Sequence, residues 1–215
     1  MSEATPQSPA AEIPVAPVTS GVLTPEDFPA WLAAGTTPDD PALARRRNGQ
    51  RFRDDGDVVI LLGAVPGPLL EEGWVPDLDS LPVTLLGLIH EGVVKSAGAV
   101  GPDGLAEALR RGCGEDGSAE ASGAVRGVTL DFTAWSPEAR SEEAAGVDGS
   151  RFLISVSATD VGRVIRQARI LDVSAVALGR VGGAGLVFKT LAGETSVAPR
   201  DLTPDRWKEW LLSPA

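Results

Sequence analysis

Tyrosine is absent from this 215-residue sequence, and cysteine and histidine occur once each. A single cysteine, Cys113, excludes an internal disulfide and any cysteine-rich zinc site. It reads as a small buried residue rather than a redox thiol. A single histidine, His90, can in principle act as a general base. It lies in an amphipathic stretch, however, where surface or interface packing is the better reading. With no Tyr and five Phe, the core is expected to be aliphatic. Basic residues are also scarce: 19 Lys and Arg face 30 Asp and Glu, for a net charge of -11. Phosphate neutralisation needs clustered cations, so a nucleic-acid partner is not expected. The one basic cluster, "ARRR" at 44–47, lies between acidic pairs and reads as a solvated linker. No apolar run reaches the roughly 18 residues that span a bilayer, so no membrane partner is expected. The first 20 residues have neither a basic n-region nor an apolar core, so no signal peptide is read there. The expectation is a cytoplasmic protein.

What is present is enough for a core, since 43% of the residues are hydrophobic. Residues 1–22 are rich in Pro, Ala, Ser and Glu without periodicity and are expected to be a disordered tail. Residues 23–49 are expected to hold a short helix, with Phe28, Trp31 and Leu32 on one face, and a linker. From residue 50 to 215 the texture is that of one α/β domain. "GDVVILLGAV" (56–65) is a continuous aliphatic run that suits a buried strand. Strands are expected at 57–63, 125–132, 151–157, 174–181 and 185–190. Leu85, Leu88, Ile89 and Val93 have helical spacing and predict a helix near 81–96. A second helix is expected over "DGLAEALRRGCG", a third from Ser136 and Pro137, and a fourth with a stripe of Val161, Val164, Ile165 and Ala168. The last starts at Thr203, with Trp207, Trp210 and Leu211 packing inward. Alternating strands and helices predict a three-layer α/β (α+β) sandwich, a mixed sheet flanked by helices.

The strings "FRDDGDVVILLG", "LIHEGVVKSA", "DGLAEAL", "SRFLISVS" and "ALGRVGG" follow one another in this order. In that order they resemble the C-terminal domain of the aminoimidazole ribonucleotide synthase superfamily, above all the phosphoribosylformylglycinamidine synthases of purine biosynthesis. The resemblance covers roughly 50–215. It implies a mixed-sheet sandwich, and an ATP-dependent amidine-forming ligase reaction in the complete enzyme. It also implies that ATP and Mg²⁺ are bound mainly by a separate N-terminal domain, so no cofactor is expected on this chain. Nothing in 1–49 resembles that domain.

Against the family pattern "HDVSDGG", this chain has Gly98, Ala99, Val100, Gly101, Pro102, Asp103 and Gly104. The histidine, the first aspartate and the serine are missing, and Pro102 replaces the second aspartate. The family's early "lGgSey" segment is replaced by "PGPLLEEGWVPDLDS" at 66–80. Catalysis by oriented donors cannot survive the loss of the donors, so no catalytic residue is assigned. The remnants of motif are Asp103, Gly104, Arg180, Gly182 and Gly183. "GRVGGAG" (179–185) joins two strands rather than opening a helix, so it reads as a turn and not as a phosphate cradle. Asp77, Asp79, Asp103, Glu115 and Asp116 match no metal loop and read as solvated acids. The expected function is a catalytically degenerate relative of the synthase domain acting by protein association, as a homodimer or with a purine-pathway protein. Two alternatives stay open: a subunit of a split synthase, and a nucleotide- or phosphoribosyl-binding module. The resemblance also implies a sheet face normally sheltered by the N-terminal domain. Here the Phe28–Trp31–Leu32 segment or self-association is expected to cover it.

Overall fold

The computed structural model describes residues 50–114 and 125–213. The expected tail, the Phe28–Trp31–Leu32 helix, and Glu115 and Asp116 lie outside the described residues. The aliphatic run at 56–65 becomes β1 (Val58–Gly63), buried along its whole length. A strand apolar on both faces must be covered on both, and the sheet is built around that requirement. β1 pairs antiparallel with β4 (Arg151–Val156) on one side and β5 (Ala175–Val181) on the other. With β2 (Val94–Ala99), β3 (Val128–Asp131), β6 (Leu186–Thr190) and β7 (Gly193–Val197), the order is β2-β4-β1-β5-β3-β6-β7. All neighbours are antiparallel except β3 and β6, which run parallel. The sheet is therefore mixed, as the sequence predicts.

Side chains alternate across the pleat and feed two separate cores. Val59 and Leu61 join Leu105, Leu109, Ala139 and Trp207 under α2 (Gly104–Gly112), α3 (Pro137–Ala145) and α5 (Pro204–Leu212). Val58, Ile60 and Leu62 join Leu85, Leu88, Val164 and Ala168 under α1 (Leu81–His90) and α4 (Val161–Ile170). The helix starts follow local chemistry. The Ser136 hydroxyl accepts the Ala139 N–H and the Thr203 hydroxyl accepts the Arg206 N–H, each with Pro at the next position.

Four sequence expectations are corrected. The helix predicted over 81–96 stops at His90, because Gly92 takes a left-handed φ of 71° and turns the chain. Val93 is buried as expected, but beyond the helix. The following VKSAGA forms the edge strand β2. β7 was also not anticipated, being exposed over four of its five residues. In the α4 stripe, Val164 and Ala168 are buried but Ile165 is 40% exposed. The core is not purely aliphatic either: Phe132, Trp135, Phe188, Trp207 and Trp210 form a contiguous cluster. Phe132 meets Trp135 edge-on at 4.8 Å and Trp207 at 5.7 Å, and Phe188 lies 4.4 Å from Trp210. This cluster seats α5 on β3 and β6, which is the docking expected for Trp207 and Trp210. Trp207→Ala is therefore expected to cost about 3–5 kcal/mol in urea unfolding followed by circular dichroism. Trp210→Ala, at a half-buried position, is expected to cost clearly less.

Candidate functional site

The two loops that depart from the family pattern meet at one end of the sheet. The N–H of Ala64 after β1 donates to Ser150 O, and that of Val100 after β2 donates to Arg151 O. The start of β4 thus holds both loops side by side. Arg151 and Glu143 form an ion pair of 2.8 Å there, with side chains 5% and 1% exposed. Burial pushes the Glu143 carboxyl up from its ordinary range, against the pull of the Arg151 charge. A pair this enclosed locks α3 to β4 and offers nothing to a ligand.

The loop at 66–80 is tied down along its length. Gly67 N donates to Glu142 Oε2, Glu71 pairs with Arg169, and Trp74 Nε1 donates to Asp172 Oδ1. The Arg169 guanidinium lies 4.3 Å from the Trp74 ring centre. Asp77 accepts the Asp79 N–H and the Ser80 hydroxyl, which hold its carboxyl below the ordinary range. Asp77 therefore orders the approach to α1, and Asp79 is exposed. In the neighbouring turn Gly104 N donates to Gly101 O. Gly104 has a φ of 77°, which a side chain would strain. Asp103 occupies the N-cap of α2 but makes no capping bond with its side chain, and it is exposed.

Arg180, Gly182 and Gly183 sit at the opposite end of the sheet from Asp103 and Gly104, so the sequence remnants are not one site. The 182–185 segment does connect β5 to β6, but it passes over the start of β3, which lies between them. Gly127 N donates to Gly183 O, and Gly182 N donates to Gly127 O. A Cβ on Gly127 would lie 2.0 Å from Gly185 O. The glycines are there for close backbone approach.

α1 and α4 leave the β5-β3-β6 part of their sheet face open. An open groove of about 670 Å³ lies there, lined by Thr129, Asp131, Arg180 and Lys189 beside Val58 and Val161. Its floor alternates polar residues outward, the ordinary device of a sheet face in water. The sequence signalled Arg180 as a motif remnant but gave no sign that Thr129, Asp131 and Lys189 would gather around it. Their company is set by strand pairing across 60 residues.

Other candidates fall apart spatially. His90 is exposed at the end of α1 and Cys113 is buried. The described residues contain no group of three His, Cys, Asp or Glu able to hold a metal, and no helix among them is long and apolar enough to cross a membrane. One charged group was missed. Lys95, at the start of β2, donates to Asp57 Oδ1 at 2.6 Å and Asp54 Oδ2 at 2.9 Å. Asp57 is buried, and its Oδ2 has no partner, so Lys95 is what keeps that carboxylate tolerable. Lys95→Met is expected to destabilise by about 1–3 kcal/mol, partly recovered by adding Asp57→Asn. The bond to Asp57, and then that to Asp54, holds the Lys95 pKa above its ordinary value. Its stabilisation is present in full below the unfolded-state pKa and is lost as pH rises through the folded-state one. Urea titrations should show the mutant's deficit shrinking only in strongly alkaline solution.

No family model matches the sequence. Among curated proteins, the chain is 27% identical over 176 residues to the phosphoribosylformylglycinamidine synthase subunit PurL of Bradyrhizobium sp. (strain ORS 278). That match takes in 74% of this chain but only 22% of the relative, so the chain spans about a fifth of its length. Among solved structures, Thermotoga maritima PurL complexed with FGAR superposes with a TM-score of 0.56 at 15% identity, over 72% of this chain and 29% of that one. The E. coli hydrogenase maturation protein HypE superposes with a TM-score of 0.52 at 18% identity, over 74% of this chain and 54% of that one. Together with the mixed seven-stranded sheet and its two helical layers, these likenesses make the described region a PurM-like α/β domain of the kind found in the PurL subunit.

Proposed function

We propose that this chain is a catalytically silent relative of the synthase domain that acts by associating with another protein in the cytoplasm. The observation that carries this reading is the pair of loops at the ends of β1 and β2. A PurL structure is described with FGAR and another with ATP, and the superfamily reaction needs oriented donors around such groups. Here one loop is strapped to α3, α4 and the turn that follows α4 through Glu142, Arg169 and Asp172. The other offers Val100, Gly101, Pro102 and an uncommitted Asp103. Neither loop contains an imidazole or an ammonium, and the one hydroxyl, that of Ser80, is donated to Asp77.

Association is supported by apolar surface beside the strapped loop. Val75, next to Trp74, is 82% exposed, and Ile170, next to Arg169, is 79% exposed. Each follows a member of the Arg169–Trp74 stack in sequence, and exposed apolar side chains that lie together favour contact with a partner. A second copy of the chain or a purine-pathway protein would occupy it.

Two measurements test the reading. Purified protein supplied with FGAR, ATP and ammonia is expected to form no amidine above a no-enzyme blank, and Asp103→Ala is expected to change nothing. Turnover that Asp103→Ala abolishes would restore an active site to the turn. In light scattering, with and without a purified purine-pathway partner, Val75→Asp with Ile170→Asp is expected to dissociate whatever complex the wild type forms. A complex indifferent to both substitutions would remove this surface from the proposal.

A further inference from the structure

The two edge strands of the sheet, β2 and β7, are built differently. β2 carries a bulge between Val94 and Ser96, with Lys95 at the irregularity. A bulge and a lysine are devices by which a sheet refuses an added strand. β7 has neither. Its register with β6 is regular over all five residues, it holds no proline, and four of the five are exposed. Its one charge, Glu194, is taken by Lys189 of β6 at 3.4 Å. The far side of β6 fixes where the backbone groups of β7 point. The Lys189 carbonyl accepts from Phe132 N and the Gly185 carbonyl from Val128 N, so the odd residues of β6 face β3 and the even ones face β7. In the antiparallel register Thr195 and Val197 therefore bond to Phe188 and Leu186, while Glu194 and Ser196 aim both N–H and C=O away from the sheet. Among the described residues no backbone bond meets those four groups.

A strand that pairs there must offer four matching groups at the same spacing, and β7 itself does. Across a two-fold axis at Thr195, Glu194 of one copy faces Ser196 of the other and the reverse. That register makes four N–H···O=C bonds and leaves no outward group over. Thr195 meets its own copy in the closer, non-hydrogen-bonded position, which suits a Thr–Thr pair. The neighbouring registers are poorer. An axis at Glu194 sets two carboxylates directly opposite each other. An axis at Ser196 needs the Ala198 carbonyl, which already accepts the Asp201 N–H at 2.9 Å. We infer that β7 is a self-association edge, joining two copies of this chain into one continuous sheet through Glu194 and Ser196. Five residues bury little surface, so the contact is weak and reversible, with a Kd on the order of 100 µM. At low micromolar concentrations this dimer is not populated, so it is separate from any complex formed through Val75 and Ile170. It is also independent of whether the loops at 66–80 and 100–104 are silent.

The test is sedimentation equilibrium of the full chain from about 10 µM to about 1 mM, a range that brackets such a Kd. The parent protein carries Val75→Asp and Ile170→Asp, so that contact through that surface is removed beforehand. It is expected to pass from monomer to dimer within the range. Ser196→Pro takes away an outward N–H without touching the bonds to β6, and two bonds per dimer are lost by symmetry. The dimer is expected to weaken at least about tenfold. Ser196→Lys sets a lysine opposite Glu194 of the other copy and is expected to tighten the dimer by about threefold or more. Ser196→Glu sets like charges opposite and is expected to loosen it by a similar factor. Ser196 is exposed, so thermal unfolding of the lysine and glutamate variants at 10 µM is expected to match the parent's. These two keep the test decisive even where Ser196→Pro unfolds the strand. No dimer at about 1 mM would overturn the inference. So would a dimer indifferent to Ser196→Pro, or one whose Kd fails to move in opposite directions with Ser196→Lys and Ser196→Glu.

Discussion

A strand that is apolar on both faces and bonded along both edges can touch water nowhere, and β1 is such a strand. Val59, Ile60, Leu61 and Leu62 are fully buried, and the neighbours on either side are β4 and β5. Everything around it follows from that enclosure. Two helical layers are needed because the pleat sends Val59 and Leu61 one way and Ile60 and Leu62 the other. The layers are unequal. α2, α3 and α5, helped by the aromatic cluster, cover their face out to β3 and β6. α1 and α4 cover β2, β4 and β1 and stop at β5. The half-sheet left open is polar because it is wet.

The two ends of the sheet have correspondingly different characters. At the C-terminal end of β1, bonds inside the protein absorb the polar groups: Glu143 with Arg151, Glu71 with Arg169, Asp77 with Ser80. These groups are spent on contacts inside the protein. At the other end, close backbone approach at Gly127 and Gly185 excludes side chains, and the charges of Arg180 and Asp131 remain open to solvent. Asp103, exposed and without a capping bond, is the exception at the first end.

Much of this was legible in the sequence, and the exceptions have physical causes. β1 announced itself because a strand buried on both faces is written as an unbroken aliphatic run. The caps at Ser136 and Thr203 were readable because a hydroxyl followed by Pro at the next position fits a helix start. β2 was not readable: Ser96, Ala97, Gly98 and Ala99 have no strand preference of their own, and pairing with β4 alone makes them a strand. β7 lay hidden because an exposed edge strand needs no apolar alternation. The aromatic cluster draws Phe132 and Trp210 together from 78 positions apart, beyond any periodic signal. The family resemblance correctly indicated the mixed sheet. It could not indicate that Asp103 and Arg180 end up at opposite ends, because antiparallel pairing decides that.

The pairing of β1 also sets an order in time. Val58 meets Val156, and Leu62 meets Ala175, so the most buried strand finds both its neighbours about a hundred residues later in the chain. During synthesis its aliphatic run emerges from the ribosome early and waits, unpaired, until β4 and β5 have followed. Long-range closure of this kind is slow, and the waiting strand is prone to wrong pairing. The chain must be made out to residue 181 before β1 can be enclosed on both edges.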